Sequence, residues 1–162
     1  MTPTFRSVGS LVACLGLSVL VVGSASAQTD SQIGLWKLNV AKSKYDPGPP
    51  PKSATTRIEA AGTGVKVTVD QVMADGSTRH WGFTGSYDGK DVPVTGNNPD
   101  ADTVARTRVN PSTVQMVLKK RGKVTTTLTS TVSSDGKTRT VTTKGISASN
   151  QQVNNVAVYE RQ

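Results

Sequence analysis

The chain predicts an all-β fold, a single up-and-down antiparallel β-barrel of about ten strands, and three observations carry that reading. From Ala54 onward apolar and polar residues alternate with a period of two, which puts successive side chains on opposite faces of a strand. The alternating runs are short and are separated by Gly, Asn-Pro and Asp-Gly turn chemistry at hairpin spacing. The opening run Ile33-Gly34-Leu35-Trp36-Lys37-Leu38-Asn39 and the closing run Val156-Ala157-Val158-Tyr159-Glu160-Arg161 fit the same pattern. Paired, they leave the sheet without a free edge at either terminus. Connections too short for Greek-key crossings favour a barrel over a sandwich.

The first residues read as a leader. Arg6 is the only charged side chain before Asp30, residues 11–23 are an apolar run, and Ala25-Ser26-Ala27 supplies the small residues of a cleavage site. A signal peptide over residues 1–27 leaves one domain over residues 28–162, long enough to bury a sizeable core. A second reading takes Leu11-Val12-Ala13-Cys14 as a lipobox with Cys14 acylated. The apolar residues that follow Cys14 weigh against it, so the expected location is secreted or periplasmic, with no transmembrane segment after cleavage. Cys14 is the only cysteine in the chain, which excludes disulfides, thiolate metal sites and thiol nucleophiles from the mature domain. Without Arg6 the domain keeps 18 Lys and Arg against 11 Asp and Glu, a net of +7. That charge favours anionic partners in general, an anionic envelope component among them.

After the first strand, Ala41-Lys42-Ser43-Lys44 leads into Tyr45-Asp46-Pro47-Gly48-Pro49-Pro50-Pro51, where the prolines forbid a helix and predict an extended strap with a turn at Pro47-Gly48. Thr56, Ile58 and Ala60 share one face of the second strand. Val65, Val67 and Val69 follow after Gly62-Thr63-Gly64. Arg79, Trp81 and Phe83 alternate with His80, Gly82 and Thr84 up to a turn at Asp88-Gly89. Pro93, between Val92 and Val94, suits an edge, a bulge or a gap in the ladder. A polar loop is expected over residues 95–102, then strands near residues 103–109, 114–119, 123–132, 138–145 and 153–161. Nine threonines between Thr125 and Thr143 fit a pleated surface on either face.

The two ends of the chain carry a resemblance. Gly34-Leu35-Trp36 matches the Gly-x-Trp that opens lipocalins and fatty-acid-binding barrels, the calycins, and Val158-Tyr159-Glu160-Arg161 resembles the terminal strand of the intracellular lipid-binding members. The chain from residue 28 also resembles an uncharacterised group of small secreted bacterial proteins of lipocalin-like type. The resemblance implies a structural barrel end in which Trp36 plugs the narrow mouth, Gly34 permits close backbone approach and Arg161 covers the indole, Arg57 being the second candidate for that cover. It also implies a small apolar or amphipathic ligand in the interior. Two departures stand out: a proline strap replaces the helical cap, and Ala157 occupies the place of the terminal-strand arginine that clamps a fatty-acid carboxylate.

Among the residues themselves, Trp81, Phe83, Met116 and Tyr159 either line a ligand cavity or fill an ordinary core. Arg106 and Arg108 share a strand face and supply an anion site if that face points inward. With Lys119, Lys120 and Arg121 they otherwise form a basic rim for an anionic polymer. No aromatic interleaving marks a specific nucleic-acid surface. His80 is the only histidine and reads as an outward or rim residue; with no cysteine it gives no zinc site. Asp75, Asp88 and Asp135 precede glycines in turns, and Asn97, Asn98, Asp100 and Asp102 read as a solvated loop. No nucleophile elbow, P-loop or dinucleotide fingerprint occurs. The sequence thus points to a non-catalytic, cofactor-free binding protein, or else to an envelope module with a solid barrel that contacts an anionic polymer or a protein partner; an enzyme on such a barrel is the third reading, since the fold alone does not exclude catalysis.

Overall fold

The computed structural model describes residues 30–162, so the leader, its cleavage site and Cys14 lie outside the described residues. Among the described residues eleven strands follow one another without a helix: β1 (Gly34–Lys44), β2 (Ser53–Ala61), β3 (Gly64–Val72), β4 (Thr78–Gly85), β5 (Asp88–Pro93), β6 (Thr95–Gly96), β7 (Thr103–Asn110), β8 (Thr113–Lys120), β9 (Lys123–Val132), β10 (Thr138–Ile146) and β11 (Gln152–Arg161). They form one antiparallel sheet in the order β5-β7-β8-β9-β10-β11-β1-β2-β3-β4-β6, a nearly closed up-and-down barrel. First and last strands meet as expected, with Trp36 opposite Arg161 and Leu38 opposite Tyr159.

The sheet returns on itself through one short segment. β5 pairs with β7 as far as Pro93 opposite Thr103, and β6 pairs with β4 through Thr95 opposite Gly82. The chain therefore crosses the seam next to Pro93, where no amide is available for a ladder. Pro93 marks a gap in the ladder, one of the alternatives the sequence allowed. Thr95 and Gly96, expected in a loop, are instead this closing strand.

Other local readings are corrected too. β1 runs five residues past Asn39, through Ala41-Lys42-Ser43-Lys44, because a bulge carries it across β11. There the Ser43 hydroxyl donates to the Asn39 carbonyl at 2.7 Å and accepts the Val158 amide at 2.9 Å, replacing ladder bonds. Asp88-Gly89 is not a turn: it starts β5 beside a bulge, with Gly89 at φ 76°, and the chain reverses at Ser86-Tyr87. Asp75-Gly76 and Asp135-Gly136 sit in loops closed between Met73 and Ser77 and between Ser133 and Thr138, longer than two-residue hairpins. A two-residue turn with φ > 0 at both positions occurs at Arg121 (φ 50°) and Gly122 (φ 74°).

Alternation sets the core. Ile58, Val65, Val67, Phe83, Val104, Val114, Leu118 and Val141 point inward with Trp36 at the base. The turns at residues 62–63, 86–87, 110–112 and 133–137 surround that base; the proline strap and residues 97–102 and 147–151 surround the opposite mouth. Trp36 is fully buried and donates its indole N–H to the Gln32 carbonyl at 2.9 Å. Arg161 lies 4.2 Å from the indole centroid and donates to the carbonyls of Ser31, Ile33 and Gly136 at 2.9, 2.6 and 2.6 Å. Gly34 makes room for it: an added Cβ would stand 2.3 Å from Arg161 Nη1, at a φ of 145° that side chains rarely adopt. Arg57 is exposed in β2 opposite Leu35, on the other face of the sheet from Trp36.

Candidate functional site

Between base and mouth the barrel holds an interior cavity of about 160 Å³. Its walls include Trp81, Phe83, Arg106, Met116 and Tyr159, five of the six residues the sequence offered as cavity candidates, and add Arg139. Trp81 and Phe83 stack with centroids 6.4 Å apart and planes at 23°. Arg106 comes from β7, in phase with Val104, and Arg139 from β10, in phase with Val141. Both side chains therefore enter the core by the ordinary period of two.

Arg106 and Arg139 are 3% and 5% exposed, and neither guanidinium reaches a carboxylate among the described residues. Arg106 donates to the Tyr87 hydroxyl at 3.3 Å and lies 4.4 Å from the Tyr87 and 5.5 Å from the Phe83 ring centroids. Arg139 donates through Nε to Ser130 Oγ at 2.8 Å and lies 5.5 Å from the Tyr159 ring centroid. Ser130 passes the network on, donating to Gln32 Oε1 at 2.8 Å, the residue whose carbonyl holds Trp36. That leaves Arg106 Nε and Nη1 and Arg139 Nη1 buried without a hydrogen-bond partner among the described residues. Burial pushes Arg139 down to about 10, with the nearby Arg106 charge acting in the same direction. Burial also lowers Arg106. Both remain cations at neutral pH, and an unpaired buried cation is costly.

Arg108 has a different fate. It does not line the cavity but sits beneath Tyr87, 3.9 Å from the ring centroid, and pairs with Asp30 at 2.6 Å. Asp30 also accepts the Tyr87 hydroxyl and the Gln32 amide. Burial would raise its carboxyl, but the hydrogen bonds from Tyr87, Gln32 and Arg108, with the Arg108 charge, outweigh that and hold it below the ordinary 3.8. The notion of Arg106 and Arg108 on an exposed basic rim therefore fails for Arg106, which faces inward. Lys119 pairs with Asp91 at 2.7 Å on the outside.

The mouth above the cavity is polar. A space of about 460 Å³ lies under the strap prolines Pro47, Pro49 and Pro51, and another of about 200 Å³ lies against Arg79, Asn98 and Asp100. Gln71 and Asn155 border both and the cavity as well. The strap is tied at the Asp46 carbonyl by the Asn154 amide and at the Asp46 amide by Asn155 Oδ1, at 2.6 and 2.9 Å. Asp100 and Asp102, read as a solvated loop, accept the backbone amides of Ala148 and Arg121. A wider groove of about 580 Å³ crosses the outer wall at Gly82. It contains His80, which faces outward and contacts Asp70 at 2.6 Å with both side chains mostly exposed, and no buried charge.

Arg139, Ser130, Gln32, Tyr87 and Asp30 were not anticipated. For Arg139 a signal existed: a cation in the apolar phase of a strand, one step from Val141, as with Arg106 and Val104. Tyr87 and Asp30 gave none, because their partners lie far away in sequence.

Fold and interior together define a class, a nearly closed all-β barrel compatible with a calycin-like fold and carrying two buried arginines around a small cavity. No protein-family model matches the chain, and no curated protein is significantly similar to it.

Proposed function

We propose that this protein binds a small amphipathic ligand inside the barrel without transforming it, and that it does so outside the cytoplasm, secreted or periplasmic after cleavage behind Ala27. The observation that carries the reading is the pair of inward guanidiniums with unpartnered N–H groups at an apolar cavity. A core built only for stability gains nothing from two such cations, since apolar side chains of similar volume pack there at lower cost. A ligand with a polar, electron-rich end satisfies them, and its apolar body rests against Phe83, Trp81 and Met116. A solid barrel serving as an envelope module has less support, because the interior is not filled and the two arginines turn away from the surface.

Native mass spectrometry of the protein expressed from its full chain tests both parts. The expected result is a polypeptide mass beginning at Gln28 with a small molecule bound, released on unfolding. An unliganded barrel that also takes up nothing from a panel of apolar and amphipathic compounds would end the binding reading; a mass retaining residues 1–27 or a lipid on Cys14 would end the secretory one.

A further inference from the structure

We infer that the ligand is a compact carboxylate with the bulk of a single aromatic ring, its carboxylate shared between Arg106 and Arg139; the inference rests on the binding reading above. Charge comes first. Asp30, the carboxylate bonded to Tyr87 beside Arg106, is engaged with Tyr87, Arg108 and the Gln32 amide, so the charges of Arg106 and Arg139 are not cancelled by it. A carboxylate offers two oxygens with about four lone-pair positions, enough to accept from both guanidiniums in charge-assisted hydrogen bonds.

Size comes next. The cavity, about 160 Å³, is close to the ~150 Å³ apolar space that holds one benzene molecule and well short of the ~300 Å³ at which pockets for drug-sized ligands begin. A long alkyl chain with its head on the arginines must leave through the mouth. There it would displace water from Gln71, Arg79, Asn98, Asp100 and Asn155 without pairing them, an unfavourable exchange. A single ring stays below that polar girdle. It meets the Phe83 and Trp81 pair on one side and Tyr159 and Met116 on others, where edge and offset contacts between aromatic rings are favourable.

Calorimetric titration of the folded protein with four probes separates the elements of the inference: benzoate, benzyl alcohol, hexadecanoate and inorganic phosphate. Saturable benzoate binding is expected, at least tenfold tighter than benzyl alcohol and no weaker than hexadecanoate, with phosphate weaker than benzoate. Arg106→Gln and Arg139→Gln should each weaken benzoate at least tenfold while thermal unfolding shows both variants folded. Equal affinity for benzyl alcohol would overturn the carboxylate, and tenfold tighter hexadecanoate would overturn the size class; in either case barrel binding itself stands. Phosphate binding as tightly as benzoate would overturn the ring. Should all four fail to bind, the inference falls, and the co-purified molecule seen by native mass spectrometry decides separately whether the binding reading falls with it.

Discussion

Replacing Arg106 with methionine should make this protein more stable, not less. In the native barrel its guanidinium is buried with Nε and Nη1 unpartnered, and each unsatisfied buried group costs about 1–3 kcal/mol. Against that stand the long 3.3 Å hydrogen bond to Tyr87 and the contacts over Tyr87 and Phe83, together roughly 1–3 kcal/mol. Methionine keeps the unbranched shape and adds apolar contact with Phe83, and buried charges exchanged for apolar residues typically return about 1–4 kcal/mol. The balance is a gain of roughly 1–3 kcal/mol, read as a rise in Tm of about 3–10 °C for a domain of this size. Calorimetric unfolding and urea titration of the ligand-free protein measure it. Arg108→Met is the built-in contrast: it breaks the pair with Asp30 and should destabilise. A loss of more than about 1 kcal/mol in Arg106→Met would refute the argument, because the guanidinium would then be holding the barrel together and not waiting for a ligand.

The remaining predictions concern the closed end. Trp36→Ala should cost about 3–5 kcal/mol, since the indole is fully buried and the cavity left under Arg161 cannot collapse; unaltered thermal unfolding would contradict its role as the plug. Gly34→Ala should cost about 1–3 kcal/mol from backbone strain and from displacing Arg161, and combining it with Arg161→Ala should recover part of that loss in a double-mutant cycle. For Asp30, the folded-state carboxyl titrates below its ordinary 3.8. Its contribution is therefore complete above about pH 4 and lost as the pH falls through the depressed value. Asp30→Asn should cost about 1–3 kcal/mol at neutral pH, a range reduced for its partial exposure, and should flatten the stability profile below pH 4. An unchanged acid limb would show that the carboxylate is not held by Tyr87 and Arg108.

Architecture was legible because a period of two is a local signal. Val65, Val67 and Val69 declare their strand by themselves, and the pairing of Trp36 with Arg161 follows once both ends are strands. The extension of β1 was not, since Ala41-Lys42-Ser43-Lys44 has no alternation and depends on the Ser43 hydroxyl standing in for ladder bonds. Asp88-Gly89 imitates hairpin chemistry, yet the same tolerance of positive φ serves a bulge. The site was half legible. Arg106 announced itself by sharing a face with Arg108; Arg139 carried the weaker signal of its phase with Val141, blurred by neighbouring threonines that pack on either face.

The different fates of Arg106 and Arg108, two residues apart on one strand, trace to a single side chain. Tyr87 turns inward at the reversal between β4 and β5 and places its ring between the two guanidiniums, 4.4 and 3.9 Å from them. Its hydroxyl bonds Asp30, so the one carboxylate in this contact among the described residues is committed to the Tyr87 and Arg108 side, and Arg106 is left directed at the cavity. Across this reversal β4 and β5 do not ladder with each other: β5 ladders with β7, β4 pairs with Thr95 and Gly96, and the Val92 side chain packs against Gly85 between them. The incomplete ladder and the uncancelled charge thus adjoin each other at Tyr87, and the least regular part of the barrel wall lies beside the part of its interior best suited to a ligand.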